Sequence, residues 1–382
     1  NVKTRVENIN REIIEWAIIR HGKSLEEFYA QNPEVESWTK GEKLPTVKQL
    51  EEFTHKVHVP FGYMFLPDPP EESIPMPFFR TVQKTSTNKV SLNVYHTIQI
   101  IQNRQEWLTQ YLKDLDFPVL DFVGRFDAYS NYKTIVNDIR GFLQLDPDWG
   151  AGLKNWEDAL NFLTDKIEDA GIIVTFNGVV GTNNYRPIDV KECRGFVLVD
   201  RRAPFMFINA ADAKAAQIFT LIHELAHVWL GESAGFDNQN LLPANDPIEI
   251  LCDKVAAELL VPESSFHEKW KITQDYKVLS NIFKVSPIVI ARRALDLGFI
   301  NLDHFFDFYN EYMADFKRKK ARQSQKPGGD FYATARKRVS VRFAAFVNNA
   351  VKENKLLYRD AYKLTNLKGN TYNTFVTEHL YQ

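Results

Sequence analysis

The patterning of the chain changes abruptly from strand-like to helical between Gly171 and Gly231. Three short runs rich in Val, Ile and Phe come first and predict a small sheet, at residues 171–181, 194–200 and 204–209. Directly afterwards, residues 212–231 carry apolar side chains at helical spacing, with Asp212 as an N-cap candidate and Gly231 as the terminating residue. A sheet that leads straight into a long helix indicates a mixed α+β core.

Helical periodicity dominates the rest of the chain. Three helices are predicted between residues 90 and 170, and another at about 247–260, where Pro262 stops it. Residues 276–300 have the helix, short turn and helix rhythm of a helix-turn-helix unit. The predicted fold class is therefore α+β and mostly helical, with one small sheet.

The predicted helix at 212–231 contains His223-Glu224-Leu225-Ala226-His227, which has the pattern H-E-x-x-H. Residues four apart lie on the same helix face, so both imidazoles can reach one metal ion. Glu224 lies beside them, where a carboxylate can take a proton from water that the metal activates. The pattern predicts a metal-dependent hydrolytic site, and a pair of partly buried histidines on a core helix is the alternative.

A catalytic zinc ion needs three protein ligands and one open position. Glu249, on the next predicted helix, can supply the third ligand, and Asp253, one turn later, can accept a hydrogen bond from the second nitrogen of a ligand histidine. H-E-x-x-H followed by E-x-x-x-D resembles the arrangement of the gluzincin metallopeptidases. Glu258 and Glu263 are alternative third ligands, and Glu249 could instead be a solvated carboxylate near a helix N-terminus.

Composition excludes several other classes of protein. The two cysteines, Cys193 and Cys252, form no C-x-x-C pair, which excludes a cysteine zinc cluster, a thioredoxin motif and a disulfide framework. Cys252 is expected to be a small buried thiol, and so few cysteines fit a reducing, cytoplasmic location. No apolar run approaches the roughly 18 residues of a membrane span, and the polar start lacks the apolar centre of a signal peptide.

The net charge of −2 gives no global positive field that would attract nucleic acid. The exception is residues 316–342, which contain ten basic side chains and Asp330 as the only acidic one. This stretch can bind DNA, RNA or an acidic partner in a salt-dependent way, or it can be a solvated helix face or a mobile loop. The sequence leaves both interpretations open.

Residues 1–66 have the pattern of short helices joined by tight turns, and a Pro-rich stretch that cannot sustain a helix follows them. A linker is therefore predicted at 67–89. In a helix-turn-helix arrangement the recognition helix would be residues 33–40, whose two glutamates oppose phosphate. This pattern favours protein contacts over operator binding.

Three segments together resemble the ImmA/IrrE family of metallopeptidase-like proteins (the domain DUF955): TLIHELAHVWLG, IEILCDKVAAELLVP and the preceding RGFVLVDRRAPFMFINAADAKAAQ. The segment PTVKQLEEFTHKVHVPFGYMFLPDPPEESIPMPFFRT is similar to the joint between an XRE-type helix-turn-helix domain and that peptidase domain. The resemblance implies an XRE-like domain at 1–66, a linker at 67–89, a zincin-like (gluzincin) peptidase domain at 90–265 and a helical C-terminal domain at 266–382.

By this resemblance, His223, His227 and Glu249 would be zinc ligands, Glu224 the general base and Asp253 an outer-shell partner. Family members cleave XRE-type repressors or antitoxin-like partners and so release genes of mobile elements, stress responses or phage defence. Some of them occur beside small toxin genes. The predicted function is a zinc-dependent, site-specific endopeptidase that acts on a regulatory protein.

Two other function classes are compatible with the sequence. In the first, the chain is an antitoxin or transcriptional regulator that acts by binding protein or DNA, with little or no proteolysis. In the second, the basic stretch makes it a DNA-binding regulator. A peptidase would also need an electrophilic stabiliser for the oxyanion, and Tyr185, His267 and His304 are available for that task.

Overall fold

The computed structural model describes residues 5–72, 78–79, 90–236, 246–322 and 330–380. Contacts between residues divide the chain into two units. The first comprises Asn1–Ile74 with Asn88–His96, and the second comprises Pro75–Thr87 with Thr97–Gln382. Each unit has its own hydrophobic core.

The first unit is a group of short helices, as the periodicity predicts: α1 (Arg11–Arg20), α2 (Leu25–Gln31), α3 (Pro33–Thr39), α4 (Val47–Lys56) and a 3-10 turn at Phe61–Phe65. Capping boxes begin two of them, since Ser24 and Glu27 bond each other's backbone N–H groups, and Thr46 and Gln49 do the same. The apolar faces meet in one core, which includes Ile13, Ile14, Ala17, Phe28, Trp38, Leu50 and Phe53.

The helix predicted as a recognition helix is α3. Val35 and Trp38 bury its inner face, Glu34 is exposed, and Glu36 pairs with Lys40 at 2.7 Å. The outward side of α3 therefore carries both glutamates. A role in protein contacts rather than in operator binding stays a prediction.

The second unit combines a mixed sheet with many helices. Its strands are β1 (Phe78–Phe79), β2 (Ile173–Asn177), β3 (Val179–Val180), β4 (Asn183–Pro187), β5 (Gly195–Leu198), β6 (Phe205–Asn209) and β7 (Ala234–Phe236). Its helices are α5 (Leu92–Asp114, whose first turn belongs to the first unit), α6 (Tyr132–Leu143), α7 (Trp156–Asp169), α8 (Lys214–Leu230), α9 (Pro247–Leu260), α10 (Glu263–Ile272), α11 (Tyr276–Phe283), α12 (Pro287–Asp296), α13 (Leu302–Arg322), α14 (Phe331–Val339), α15 (Val341–Lys352), α16 (Tyr358–Thr365) and α17 (Gly369–Thr374), with a π-helical turn at Phe375–His379. Within the described ranges, no helix has both the length and the apolar character needed to cross a bilayer.

The larger sheet has the strand order β1-β7-β5-β6-β2, and β3 pairs with β4 in a separate hairpin. β5 runs antiparallel to both of its neighbours, whereas the pairs β2–β6 and β1–β7 are parallel. The three predicted runs correspond to β2 with β3, to β5 and to β6. The sequence does not predict β4, which is polar and largely exposed, or β1 and β7, which are too short to show alternation.

The predicted linker contains β1. Phe78 and Phe79 pair with Gly235 and Phe236, and the other residues between 73 and 89 lie outside the described chain. Proline excludes helix but permits extended backbone, so a short edge strand is compatible with a Pro-rich stretch. The boundaries 67–89 stay a prediction.

Helix α8 lies in the core of the second unit. Every residue from Gln217 to Leu230 is buried, because α8 packs against β5, β6, α7 and α9. Gly231 ends the helix in the left-handed conformation, with φ 74°, as predicted. A helix that is buried on all sides is expected to be mainly apolar, and in α8 the buried polar residues include His223, Glu224 and His227.

The prediction that Asp212 caps α8 is wrong. The N-cap residue is Ala213, and no side chain bonds the first turn. The Asp212 carboxylate instead accepts from the N–H of Ala213 and pairs with Arg194 at 3.5 Å. The ion pair with Arg194, which lies outside the helix, therefore holds the Asp212 side chain that the local sequence pattern assigns to the cap of α8.

Arg104 of α5 holds the C-terminal helices against the rest of the second unit. Its buried guanidinium donates to the carbonyls of Leu364 (2.8 Å) and Arg338 (2.9 Å), which lie in the last turns of α16 and α14. Burial lowers the pKa of Arg104 to about 10. The negative ends of two helix dipoles stabilise this cation.

The basic stretch at 316–342 is partly engaged within the second unit. Lys337 pairs with Glu157 at 3.0 Å, and Arg338 accepts the bond from Arg104 through its carbonyl. Residues 323–329 lie outside the described chain. Nucleic-acid binding by this stretch stays a prediction.

Glu168, at the end of α7, is half-buried at the junction of α14 and α15. Its Oε1 accepts hydrogen bonds from the Ser340 hydroxyl (2.5 Å) and from the N–H of Val174 (3.3 Å). Burial nevertheless raises the pKa of Glu168 from 4.5 to about 7, because these bonds offset only part of the lost hydration.

We expect Glu168→Gln to flatten the pH dependence of stability. Because the folded pKa lies above the unfolded one, the contribution of Glu168 is fully present below pH 4.5 and is lost as the pH rises through about 7. Burying the charged form costs about 3 kcal/mol at pH 8, so the variant should exceed wild type in stability there and match it at low pH. Urea denaturation at both pH values measures this difference.

The matched control for Glu168 is Glu157→Gln on the same helix. Lys337 lowers the pKa of Glu157, so this carboxyl has the opposite pH dependence. If Glu168→Gln kept the wild-type difference between low and high pH, the assigned origin of that difference would be wrong.

Candidate metal centre

Helices α8 and α9 bring the predicted metal ligands together. α8 carries His223 and His227 one turn apart, and α9, packed beside it, carries Glu249. The two histidine Nε2 atoms each lie 3.1 Å from an oxygen of Glu249 and 3.3 Å from each other. One ligand atom from each residue lies within 4.8 Å of the others, and all three residues are buried. These side chains can hold a metal ion.

The two alternative third ligands lie elsewhere. Glu258 pairs with the buried Arg293 of α12, and Glu263 pairs with Lys133 at 2.6 Å. Of the three carboxylates that the sequence offers, the structure brings Glu249 alone together with the histidines among the described residues.

The geometry of the three side chains suits a cation. Two imidazole nitrogens 3.3 Å apart that also face a carboxylate need a shared proton or a metal ion between them. Burial works against the charged form of His223, but Glu249 and Asp253 outweigh it and raise the pKa of His223 to about 10. Burial would raise the pKa of Glu249, but His223 and His227 outweigh it and hold that pKa well below its usual value. Two imidazoles and a carboxylate form a ligand set that Zn²⁺ uses in catalytic sites.

Asp253 orients His223. Its Oδ1 lies 3.0 Å from His223 Nδ1, so it accepts the N–H of that nitrogen and leaves Nε2 directed at Glu249. The corresponding atom of the second histidine, His227 Nδ1, is buried and has no hydrogen-bond partner among the described residues. The structure therefore places Asp253 beside His223, as its position one helical turn after Glu249 on α9 allows.

We expect Asp253→Asn to weaken metal binding about 10-fold to 100-fold. Asn keeps the shape of the side chain but removes the charge that favours the proton on His223 Nδ1. Competition with a chromogenic chelator measures the affinity. Asp275→Asn is the control, because Asp275 is the N-cap of α11 and Asn serves equally well there. Unchanged affinity in Asp253→Asn would contradict an action of Asp253 on the metal ligand.

Glu224 lies beside the histidines on α8 without a partner of its own. Both of its carboxylate oxygens are buried, and neither has a hydrogen-bond partner within the described chain. Burial raises the pKa of Glu224 well above its usual value, although the charge on His223 acts in the opposite direction. A divalent cation held by the three neighbours would favour the carboxylate form. A carboxylate in this position is available to exchange a proton with water or substrate.

Two further side chains next to the ligands complete the surroundings. The ring of Phe219 lies 6.4 Å from that of His223, a contact that the spacing of four residues on one helix could have revealed. Cys252 is fully buried in the core, where desolvation raises its pKa well above the usual value, as expected for a structural thiol.

The three residues available as oxyanion stabilisers make no contact with the metal ligands in the part of the chain that is described. Tyr185 is 96% exposed on β4, His267 packs against Phe299, and His304 lies in the first turn of α13. Sequence distance does not indicate which polar side chain approaches a site, and the oxyanion stabiliser stays unassigned.

Part of the chain is similar to a known protein family. Residues 169–295 match the family model of the IrrE N-terminal-like domain (Peptidase_M78), and this range contains every residue of the candidate metal centre. The match indicates a metallopeptidase-type domain, and therefore a hydrolase. Residues 339–378 match a domain of unknown function (DUF8813). No curated protein matches the chain.

The match supports the ImmA/IrrE resemblance for the second unit only. It covers β2 to β7, α8 to α11 and all but the last residue of α12, and so includes four of the five strands of the larger sheet and the two ligand-bearing helices. Neither family match reaches residues 1–66. The XRE-like helix-turn-helix identity of these residues stays a prediction.

Proposed function

We propose that the chain is a zinc-dependent, site-specific endopeptidase that cleaves a regulatory protein in the cytoplasm. The observation that carries this proposal is the approach of His223, His227 and Glu249 to within 4.8 Å of one another, beside Glu224. A structural zinc site usually closes with a fourth side chain, whereas a set of three leaves a position for substrate.

Zinc bound by these three residues would supply a Lewis acid that polarises the scissile carbonyl and acidifies water. The side chains of the protein have separate tasks. Glu224 takes the proton of the attacking water and delivers it to the amine nitrogen of the leaving peptide. Asp253 keeps His223 in the tautomer that directs Nε2 at the other ligands. Because these groups are buried, their charge interactions are stronger than they would be in water.

The proposed substrate is an XRE-type repressor or a partner from a toxin–antitoxin or phage-defence system. The resemblance to ImmA/IrrE proteins supports this class. The glutamates on α3 support it further, because an acidic helix opposes phosphate and favours contact with a protein. The first unit would select the substrate and the second would cleave it.

A second candidate function is an antitoxin or transcriptional regulator that acts by binding. The observation that favours it is burial, since His223 and Glu224 are both 0% exposed. A peptide substrate would reach these two side chains only after neighbouring segments of the same chain move. In this alternative the metal ion would serve stability alone.

The test is incubation of the zinc-loaded protein with an extract of cells that encode it, followed by labelling of new N-termini and mass spectrometry. We expect one or a few new N-termini, which a chelator suppresses and added zinc restores. Their absence at full zinc loading would favour the binding regulator.

A further inference from the structure

A cavity of about 430 Å³ lies at the start of α8. Its walls include the first turns of α8 and α12, together with the aromatic side chains of Trp156, Phe219, Tyr309 and Tyr312. This volume is typical of pockets that enclose a small organic molecule. The three candidate metal ligands do not line it, although Phe219 precedes His223 by one helical turn.

Two helix N-termini without side-chain caps meet at this cavity. α8 begins after Ala213, and residues 213–216 line the wall. α12 begins after Ser286, whose hydroxyl makes no capping bond, and residues 286–289 line the wall as well. The first N–H groups of a helix lack intrahelical partners and carry the positive end of its dipole. In α12, Pro287 has no N–H and the N–H of Val289 bonds the carbonyl of Ser286, so Ile288 is the residue of the first turn whose N–H is available, and α8 supplies the larger share of donors. Such ends bind phosphate and carboxylate groups.

Polar side chains at the same cavity point independently to a ligand. Ser286 is only 9% exposed, and its hydroxyl has no hydrogen bond within the described chain. Arg194 also lines the cavity, and its Nε is buried without a partner among the described residues. Asp212, a lining carboxylate, pairs with Arg194 at 3.5 Å, and Lys214 lies 3.9 Å from Glu157. Buried polar atoms without hydrogen-bond partners are uncommon. An anion would satisfy Arg194 Nε and the Ser286 hydroxyl, whereas Asp212 Oδ2, which is also buried without a hydrogen-bond partner among the described residues, would need a hydrogen-bond donor from the ligand.

We propose that this cavity binds a nucleoside monophosphate. The phosphate lies at the N-termini of α8 and α12, beside Ser286 and Arg194, and the base packs among the four aromatic rings. A free oxyanion would leave the aromatic part of the cavity unfilled, and a neutral aromatic molecule would leave the donors unpaired. One phosphate with one base satisfies both parts of the wall.

Isothermal titration calorimetry of the full chain, as purified, with AMP, GMP, CMP and UMP tests the proposal. We expect saturable binding of at least one of them in the micromolar range. The matching nucleoside and inorganic phosphate should each bind about tenfold more weakly or worse, because each lacks half of the contacts. Ser286→Ala should weaken nucleotide binding about threefold to tenfold.

Ala215→Asp is the decisive variant. Ala215 lines the cavity in the first turn of α8, where a carboxylate favours the helix but repels a phosphate. Nucleotide binding should fall at least about tenfold, and the fold should persist. Ala215→Asn has the same shape without the charge and should keep most of the affinity.

Three results would overturn the proposal: no saturable binding of any of the four nucleotides, binding of the nucleoside or of phosphate as tight as that of the nucleotide, or wild-type affinity in Ala215→Asp. Because the titration needs no protein substrate, and Ala215→Asp leaves the metal ligands unchanged, it gives the same answer whether or not the chain is a peptidase.

Discussion

Glu224→Gln is expected to lower the rate of substrate cleavage on the order of 10³-fold while metal binding is retained. Gln has the size of Glu but cannot take a proton from water, and Glu224 makes no hydrogen bond within the described chain that Gln would lose. The rate is measured from the appearance of the new N-terminus with time, and the metal content is measured on the same preparation.

Glu263→Gln is the matched control for this change. Glu263 follows α9 and pairs with Lys133 at the surface, so its substitution should leave both cleavage and metal content unchanged. If Glu224→Gln cleaved at the wild-type rate, Glu224 would not be the proton acceptor, and the peptidase mechanism proposed above would fail.

Arg293→Met is expected to destabilise the second unit by about 3–5 kcal/mol. The guanidinium of Arg293 pairs with Glu258 and donates to the carbonyl of Val261 at 3.0 Å, with both charged side chains buried. Removal of Arg293 leaves the buried carboxylate of Glu258 without its ion-pair partner on α9, the helix that carries Glu249. Urea denaturation followed by far-ultraviolet circular dichroism measures the loss.

Two further variants separate the loss of the ion pair from other effects. Arg292→Met removes a partly exposed arginine that pairs with Asp296 one turn away, and it should cost about 0.5 kcal/mol. The double variant Arg293→Met with Glu258→Leu should recover most of the stability, because apolar replacement of a whole buried pair is often neutral. A double variant as unstable as Arg293→Met would instead attribute the loss to packing around Arg293.

The ligands of the candidate metal centre follow from the sequence because their spacing repeats the geometry of a helix. His223 and His227 are four residues apart, and so are Glu249 and Asp253, so each pair occupies one face of its own helix. Two helices in sequence, both strongly apolar, are expected to pack against each other. The structure brings Glu249 to both histidines and Asp253 to His223.

The sequence did not decide which of the three carboxylates, Glu249, Glu258 or Glu263, is the third metal ligand. Glu258 and Glu263 follow Glu249 at distances that also fit a ligand, and their partners, Arg293 and Lys133, lie far away in the chain. Long-range ion pairs of this kind depend on tertiary packing, which local periodicity does not contain. The ion pair of Asp212 with Arg194, which replaces the predicted helix cap, has the same origin.

The short strands and the cavity likewise could not be predicted from the sequence. β1 has two residues and lies in a Pro-rich stretch, and its pairing with β7 depends on residues more than a hundred positions away. The cavity at the start of α8 combines side chains from α7, α8, α12 and α13, and no single segment has a pattern that indicates it. The family match adds the class of domain but not these details.

The most direct test of the metal centre is the zinc content of the purified protein by elemental analysis, with Glu249→Ala and His223→Ala measured beside wild type. We expect about one zinc ion per wild-type chain, and none in either folded variant, because two remaining ligands hold zinc weakly. Circular dichroism shows whether each variant is folded. A wild-type protein that binds no zinc after reloading, or folded variants that keep it, would contradict the assignment of His223, His227 and Glu249 as the site.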